Sequence, residues 1–457
     1  METRGRTVLF LVLGLLVFSA TFQDCSAAFN PFNWRKQTRS DAASSSTKHG
    51  TQNRLSSVVF PVRGNVYPDG LYYVTLFIGQ PPKPYFLDID TGSDLTWLQC
   101  DAPCVRCSKV PHPLYRPKNN LVFCQDPICA SLHHPGNYRC DRPTDQCDYD
   151  IEYADSGSSL GVLLKDEFPL RLTNGSLIKP HLVFGCGYDQ EFSSESVSPT
   201  DGVLGLGTGK SSFISQFQDQ GLSRNVFGHC FSGRGGGFLF FGDDLVPSSG
   251  VVWTPMSKDY SSKHYSPGPA ELLLGGHSTG VEGLKTVFDS GSSYTYLNNR
   301  AYHALISSMK GDLARKPLKE VPDETLPVCW KGPKPFKSIS DIKKYFKPLV
   351  LRFSNGKNAL MEIQPESYLI ISPYGNACLG ILNGAEVGLR DSNLIGDTFL
   401  RDKMLIYDNE KQQLGWMPTD CNRIPNKDHD SEGFSRPYGI NFGILSDQYP
   451  ATYAFQR

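Results

Sequence analysis

The 457-residue chain has a formal net charge of −1, which gives no electrostatic basis for holding nucleic acid or an anionic membrane surface. At about 150 residues per domain, the length suits two or three units and a sizeable core. The 27 Phe and 21 Tyr, set among 43 Gly and 32 Pro, favour many short strands joined by turns over a helical architecture. Arg4 and Arg6 precede the apolar run 8–20, and small residues follow at 26–28, the order of a secretory signal peptide. The run is short for a membrane anchor, which takes about 20 apolar residues. Residues 1–28 are therefore expected to be a signal peptide, with no stable membrane anchor in the remainder. Residues 29–62 are polar and basic, with Arg35, Lys36, Arg39, Lys48 and Arg54, and suit a propeptide or a flexible linker. Ordered chain is expected from the strand-like run 71-LYYVTLFIG-79 onward.

The apolar residues Tyr85, Phe86, Leu87 and Ile89 then lead into 90-DTGSDLTWL-98. Seven cysteines crowd the next segment, from Cys100 to Cys147. Cys104 and Cys107 have the spacing of half a zinc site or of a redox motif. Cys124 and Cys129 supply no matching pair, and export favours oxidation, so disulfides are expected and no metal or other cofactor. Removal of Cys25 with the leader leaves twelve cysteines, nine before residue 250 and three after it. If all pair, at least one bridge must join the two halves.

Residues 148–153 and 160–170 read as two strands flanking a Ser/Gly-rich tip at Asp155, the pattern of a β-hairpin. Asn174-Gly175-Ser176 is both a glycosylation acceptor and a strong turn signal, and an exposed turn tip accommodates both. An apolar pair followed by Gly comes at 203-VLGLG-207. The second copy of the motif is 289-DSGSSYTYL-297, preceded by Val287 and Phe288 and followed by 394-LIGDTF-399. Gly205 follows Asp90 by 115 positions and Gly396 follows Asp289 by 107, so the repeated unit is a whole lobe. Each lobe offers one carboxylate from a strand-to-turn junction. Asp155 lies only 65 positions after Asp90 and lacks the motif's Thr, so its Asp-Ser-Gly reads as turn chemistry. Asp88, one alternation before Asp90, reads as a strand residue on the same side with no chemical part.

The paired motifs, the two apolar-apolar-Gly segments and the hairpin resemble pepsin-like aspartic proteases over roughly residues 70–421. The cysteine-rich insert and the stretches 183–190 and 236–256 resemble the nucellin-like, nepenthesin-related plant branch. The resemblance implies a mainly β, bilobal fold with a cleft between two related lobes and a few short helices. On that basis residues 63–250 form the N-terminal lobe, 251–421 the C-terminal lobe and 422–457 a polar tail. Asp90 and Asp289 match the catalytic pair, and Gly92 and Gly291 match the close-turning glycines. Thr91 and Ser290 match the residues that tie the two loops together. Ser93 and Ser292 match the hydroxyls on the outer carboxylate oxygens. Trp97 and Tyr153 match the hydrogen-bonded pair at cleft and flap, although Ala154-Asp155 departs from pepsin's flap sequence. The resemblance also implies bridges Cys100–Cys104, Cys107–Cys186, Cys124–Cys147, Cys129–Cys140, Cys230–Cys421 and Cys329–Cys378. It implies an acid-active endopeptidase acting on protein or peptide substrates, monomeric, made as a zymogen and located in the apoplast or vacuole. The rival expectation is a pepsin-fold binding or inhibitor protein without catalysis.

Overall fold

The computed structural model describes residues 56–102, 104–133, 140–154, 157–191, 198–257, 263–356 and 359–424. The expected leader, most of the expected propeptide or linker, Asp155, and all but the first three residues of the expected tail lie outside them. The fold is mainly β, and among the described residues the helices are few and short, the longest being Asn299–Leu313.

One pairing pattern occurs twice. In the first half, Leu71–Ile78 pairs antiparallel with Lys83–Asp90, which runs parallel to Gly202–Gly205. Gly202–Gly205 is antiparallel to Trp97–Gln99, which is parallel to His181–Glu191. In the second half, Tyr265–Leu274, His277–Phe288, Ser392–Ile395, Thr295–Leu297 and Ile381–Asn383 follow in the same spatial order with the same senses. The strand ending at Asp90 shows why the sequence folds this way. Tyr85, Leu87 and Ile89 alternate into the core at 2%, 0% and 0% exposure, the period of two that a half-buried strand requires.

The halves share a sheet. Val226–Phe231 pairs on one side with Gly237–Phe241 and on the other with Lys403–Asp408. Lys403–Asp408 pairs in turn with Gln413–Pro418, and that strand with Val252–Pro255. Stacked rings fill this seam, with Phe227 on Tyr407 at 4.5 Å between centroids and His229 on Phe231 at 4.1 Å. The Cys230–Cys421 bridge spans it, and the chain positions it joins are 191 residues apart.

Three expectations need correction. Ordered chain starts earlier than residue 71: Val58–Asn65 is a strand bonded to both Gly237–Phe241 and Leu71–Ile78. Its alternating Val58, Phe60 and Val62 are buried, so the boundary at residue 62 falls inside the first lobe's sheet. The bridges in the insert also differ. Strand register sets Leu98 opposite Cys186, and the Cys100 amide donates to Gly187 O at 2.9 Å. Cys100 therefore bonds to Cys186, with Cα atoms 5.3 Å apart, and Cys104 closes a short loop onto Cys107. Helix Pro127–Leu132 turns Cys129 into a small core containing Trp97, Tyr149 and Cys147, which fixes Cys129–Cys147. Cys124 is left to Cys140. Cys329 bonds to Cys378 from paired positions of adjacent strands. His133 lies beside Cys129 and Cys147, but those two sulfurs are bonded to each other and are not thiolate ligands.

Candidate active site

Both motifs sit where the repeated pattern places a strand end. Gly205 lies opposite Asp90 across the parallel pair, and the Leu206 amide donates to Asp90 O at 2.8 Å. In the second lobe Ile395 lies opposite Phe288, and the Asp289 amide donates to Ile395 O at 3.1 Å. Thr96 and Thr295, at the same offset in each motif, brace the facing Gly205 and Gly396 amides, both at 3.2 Å.

The two loops are locked together. The Thr91 amide donates to Ser290 Oγ at 3.1 Å, and the Ser290 amide donates to Thr91 Oγ1 at 3.0 Å. Each hydroxyl then donates across the interface, Thr91 to Phe288 O at 3.1 Å and Ser290 to Ile89 O at 2.7 Å. All four bonds are buried, so water does not compete for these donors.

Each carboxyl is held at both oxygens. Asp90 Oδ1 accepts from the Gly92 amide at 2.7 Å, and its Oδ2 accepts from Ser93 Oγ. Asp289 Oδ1 accepts from the Gly291 amide at 3.0 Å, and its Oδ2 from Ser292 Oγ at 3.0 Å. The glycines permit the approach of the two loops. A Cβ on Gly92 would sit 2.6 Å from Asp289 Oδ1, and one on Gly291 would sit 2.5 Å from Asp90 Oδ1. Each inner oxygen thus faces the other lobe's glycine, which brings the two carboxyls close enough to share a hydrogen bond. Burial first, then the charge of Asp289, pushes Asp90 well above the ordinary carboxyl range. Burial also raises Asp289, against the donors Ser292 and Gly291 that hold it down. The pair therefore keeps one shared proton into weakly acidic solution and titrates as a unit. Such a pair contains an acid and a base at one point.

Tyr153 stands just past the strand Asp148–Glu152, at the hairpin formed with Ser158–Glu167. Its hydroxyl accepts from Trp97 Nε1 at 2.6 Å. Burial and then the Asp90 charge keep its proton on, so it remains a neutral donor near Ser93. Asn174 is exposed at a turn in which the Leu172 amide donates to Ser176 O at 2.9 Å.

Residues 72–243 match a family model described as "Xylanase inhibitor N-terminal", and residues 272–418 match "Xylanase inhibitor C-terminal". The chain is 47% identical over 384 residues to an aspartic proteinase of Oryza sativa subsp. indica, an alignment covering 81% of this chain and 92% of that protein. The chain belongs to the plant pepsin-like aspartic proteinase family. Solved structures with its fold include basic 7S globulin from soybean, at TM-score 0.63 and 18% identity over 81% of this chain and 99% of that one. The aspartic proteinase from Irpex lacteus has TM-score 0.57 and 16% identity over 80% and 98%.

Two further buried carboxyls lie close enough to feel the charge of the pair. Asp88 Oδ1 is buried and makes no hydrogen bond among the described residues. Burial, then the charges of Asp90 and Asp289, raises this carboxyl well above its ordinary value. Asp397 begins the short helix Asp397–Leu400, is 0% exposed, and has both oxygens without a partner among the described residues. Burial and then Asp88 raise it in the same direction, against Arg401. Sequence reasoning placed Asp88 on the right side of its strand but gave it no electrostatic part, and it gave Asp397 no attention. The signal was present in the doubled 88-DID-90 and in the Asp directly after the second apolar-apolar-Gly.

Proposed function

We propose that the protein is an aspartic endopeptidase that hydrolyses peptide bonds with a water activated between Asp90 and Asp289. The observation that carries this reading is the setting of each inner carboxyl oxygen, held by its own loop's glycine amide, against the other loop's glycine. The ionised member takes a proton from water as that water attacks the carbonyl carbon. The protonated member polarises the carbonyl oxygen and then returns a proton to the leaving nitrogen. No covalent link to the enzyme is required. One proton must stay on the pair, so activity belongs to acidic solution. Tyr153, held by Trp97 of the separate strand Trp97–Gln99, belongs to the hairpin that closes over an extended peptide and excludes water.

The test is hydrolysis of a generic protein substrate at acidic pH, with and without pepstatin, beside Asp90→Asn and Asp289→Asn. Activity surviving either substitution would sink the dyad. The second reading is a pepsin-fold inhibitor or binding protein, favoured by the wording of the matched family models. Folded wild-type protein without hydrolysis across the acidic range would select it.

The remaining parts of the reading are a secreted or vacuolar monomer with Asn174 as a glycan acceptor, made as a zymogen through the basic segment after the leader. Acid incubation of purified precursor tests the zymogen, because full activity with no change in size rules it out.

A further inference from the structure

A cavity of about 360 Å³ opens beside the Asp289 loop, between the first-lobe turn around Tyr67 and Gly70 and three second-lobe segments carrying Tyr294, Glu324 and Tyr374. It adjoins the carboxyl pair through bonded neighbours. Ser292 holds Asp289, Ser293 Oγ donates to Gly70 O, and Tyr294 is the next residue in the wall. Tyr294 is five positions past Asp289, and an extended chain advances about 3.3–3.6 Å per residue. The cavity therefore lies within reach of a side chain no more than about five residues from a bond held at the pair.

The wall chemistry is one-sided. Three tyrosine rings line the cavity, and among the described residues Glu324 is the one charged residue in its lining. The Tyr374 hydroxyl donates to Glu324 Oε2 at 3.2 Å, so ring and carboxylate are presented together. Glu324 is exposed, but the backbone beneath it is tied down. Its neighbour Asp323 accepts from Ser372 Oγ at 2.7 Å, Asn376 Nδ2 at 2.8 Å and the Thr325 amide at 2.9 Å. Partial burial would raise Asp323, but Asn376 and Ser372 outweigh it and draw that carboxyl down to about 2. These bonds clamp the Glu324 segment to the turn carrying Tyr374, and Cys329–Cys378 clamps the same two segments a few residues on.

A site with aromatic walls and a single carboxylate suits an apolar stem ending in a cation. The rings cover the methylenes and attract the charge by their faces, and the carboxylate completes an ion pair. An acidic side chain meets like charge, and a short polar one leaves the rings uncovered. We infer that this cavity is a specificity subsite for a Lys or Arg side chain of a peptide in the cleft, with Glu324 as ion-pair partner and Tyr67, Tyr294 and Tyr374 as walls. Its consequence for turnover rests on the endopeptidase reading. The binding it describes does not.

The experiment uses one peptide frame in which each position in turn carries Arg, norleucine or Glu, at about pH 5.5, above the ordinary carboxyl range. In the mature wild-type protein, one position shows kcat/KM about tenfold higher for Arg than for norleucine, with Glu lowest. At that position Glu324→Gln brings the Arg-to-norleucine ratio close to one, and Glu324→Lys inverts it. A wild-type protein that cleaves without distinguishing Arg anywhere overturns the inference, as does a ratio that Glu324→Gln leaves intact. If no peptide is cleaved, the endopeptidase reading fails by itself, and fluorescence anisotropy of the same peptides decides the subsite. Tighter binding of the Arg peptide, lost in Glu324→Gln, upholds it, and equal affinities refute it.

Discussion

His229 makes the seam between the lobes sensitive to acid. Its ring is 0% exposed and stacked on Phe231, its Nε2 meets the Tyr407 hydroxyl at 3.0 Å, and its Nδ1 has no partner among the described residues. Burial lowers its pKa from 6.5 to about 3. The sign follows from proton counting. Between pH 6.5 and pH 3 the unfolded chain binds a proton that the folded ring refuses. Stability therefore falls as pH falls through that window, and the loss from this group ends below its lower limit. At 1.36 kcal/mol per pH unit, the loss is about 3 kcal/mol by about pH 4.5 and about 5 kcal/mol by about pH 3. His229→Gln keeps a polar group near Tyr407 but does not titrate. Urea unfolding of both proteins with disulfides intact, at about pH 7.5 and about pH 4.5, separates this term from the carboxyls they share. The wild type is expected to lose about 3 kcal/mol more than the variant between the two conditions. Equal losses would refute the reasoning, whatever the variant's stability near neutrality.

Gly92→Ala places a methyl 2.6 Å from Asp289 Oδ1, so kcat should fall by at least about a hundredfold with the far-ultraviolet circular dichroism unchanged. Near-normal turnover would mean that the inner oxygens are not confined as described. Asp397→Asn tests a buried carboxyl that feels the charge of the pair. Because its folded pKa is raised, its contribution is favourable below the unfolded value and is lost as pH rises toward the folded one. The Asn variant should therefore gain in melting temperature relative to wild type from about pH 4 to about pH 7. A melting-temperature difference, variant minus wild type, that stays flat or falls as pH rises contradicts a neutral buried acid. Trp97→Phe keeps an aromatic body in the core but removes the 2.6 Å bond to Tyr153, and kcat/KM should drop about tenfold. Unchanged kinetics would separate that bond from closure.

The carboxyl pair was legible because it is written twice, and a duplicated motif specifies both partners and the symmetry relating them. Thr91 and Ser290 came through the resemblance to pepsin-like proteases, and the structure gives the reason for their place, since a loop that faces its own copy needs a donor and an acceptor at one offset. The bridges within the insert were not legible. Several connectivities fit the same cysteine spacings, and the choice falls to strand register at Leu98 and Cys186 and to one short helix turning Cys129 inward. The strand Val58–Asn65 was hidden because a proline at its centre argues against a strand, and the alternation of buried Val58, Phe60 and Val62 with exposed Pro61 and Arg63 shows only once its two partner strands are known. Asp88 and Asp397 escaped because a lone Asp in a strand or turn is ordinarily solvated. Only tertiary packing from both lobes removes the water.

The shared sheet bears on the order in which the molecule can be made. Synthesis delivers the N-terminal half first. Val226–Phe231, with its buried Phe227 and Phe231, then has one flank paired and the other waiting for residues 403–408. Until that partner leaves the ribosome, the first lobe carries an open aromatic strand edge, the kind of surface that recruits other chains. Its final strand partner comes from the far end of the gene's message, so the first half cannot finish folding before most of the second half exists. A fragment cut between the lobes should therefore aggregate, even though it holds a whole copy of the repeat.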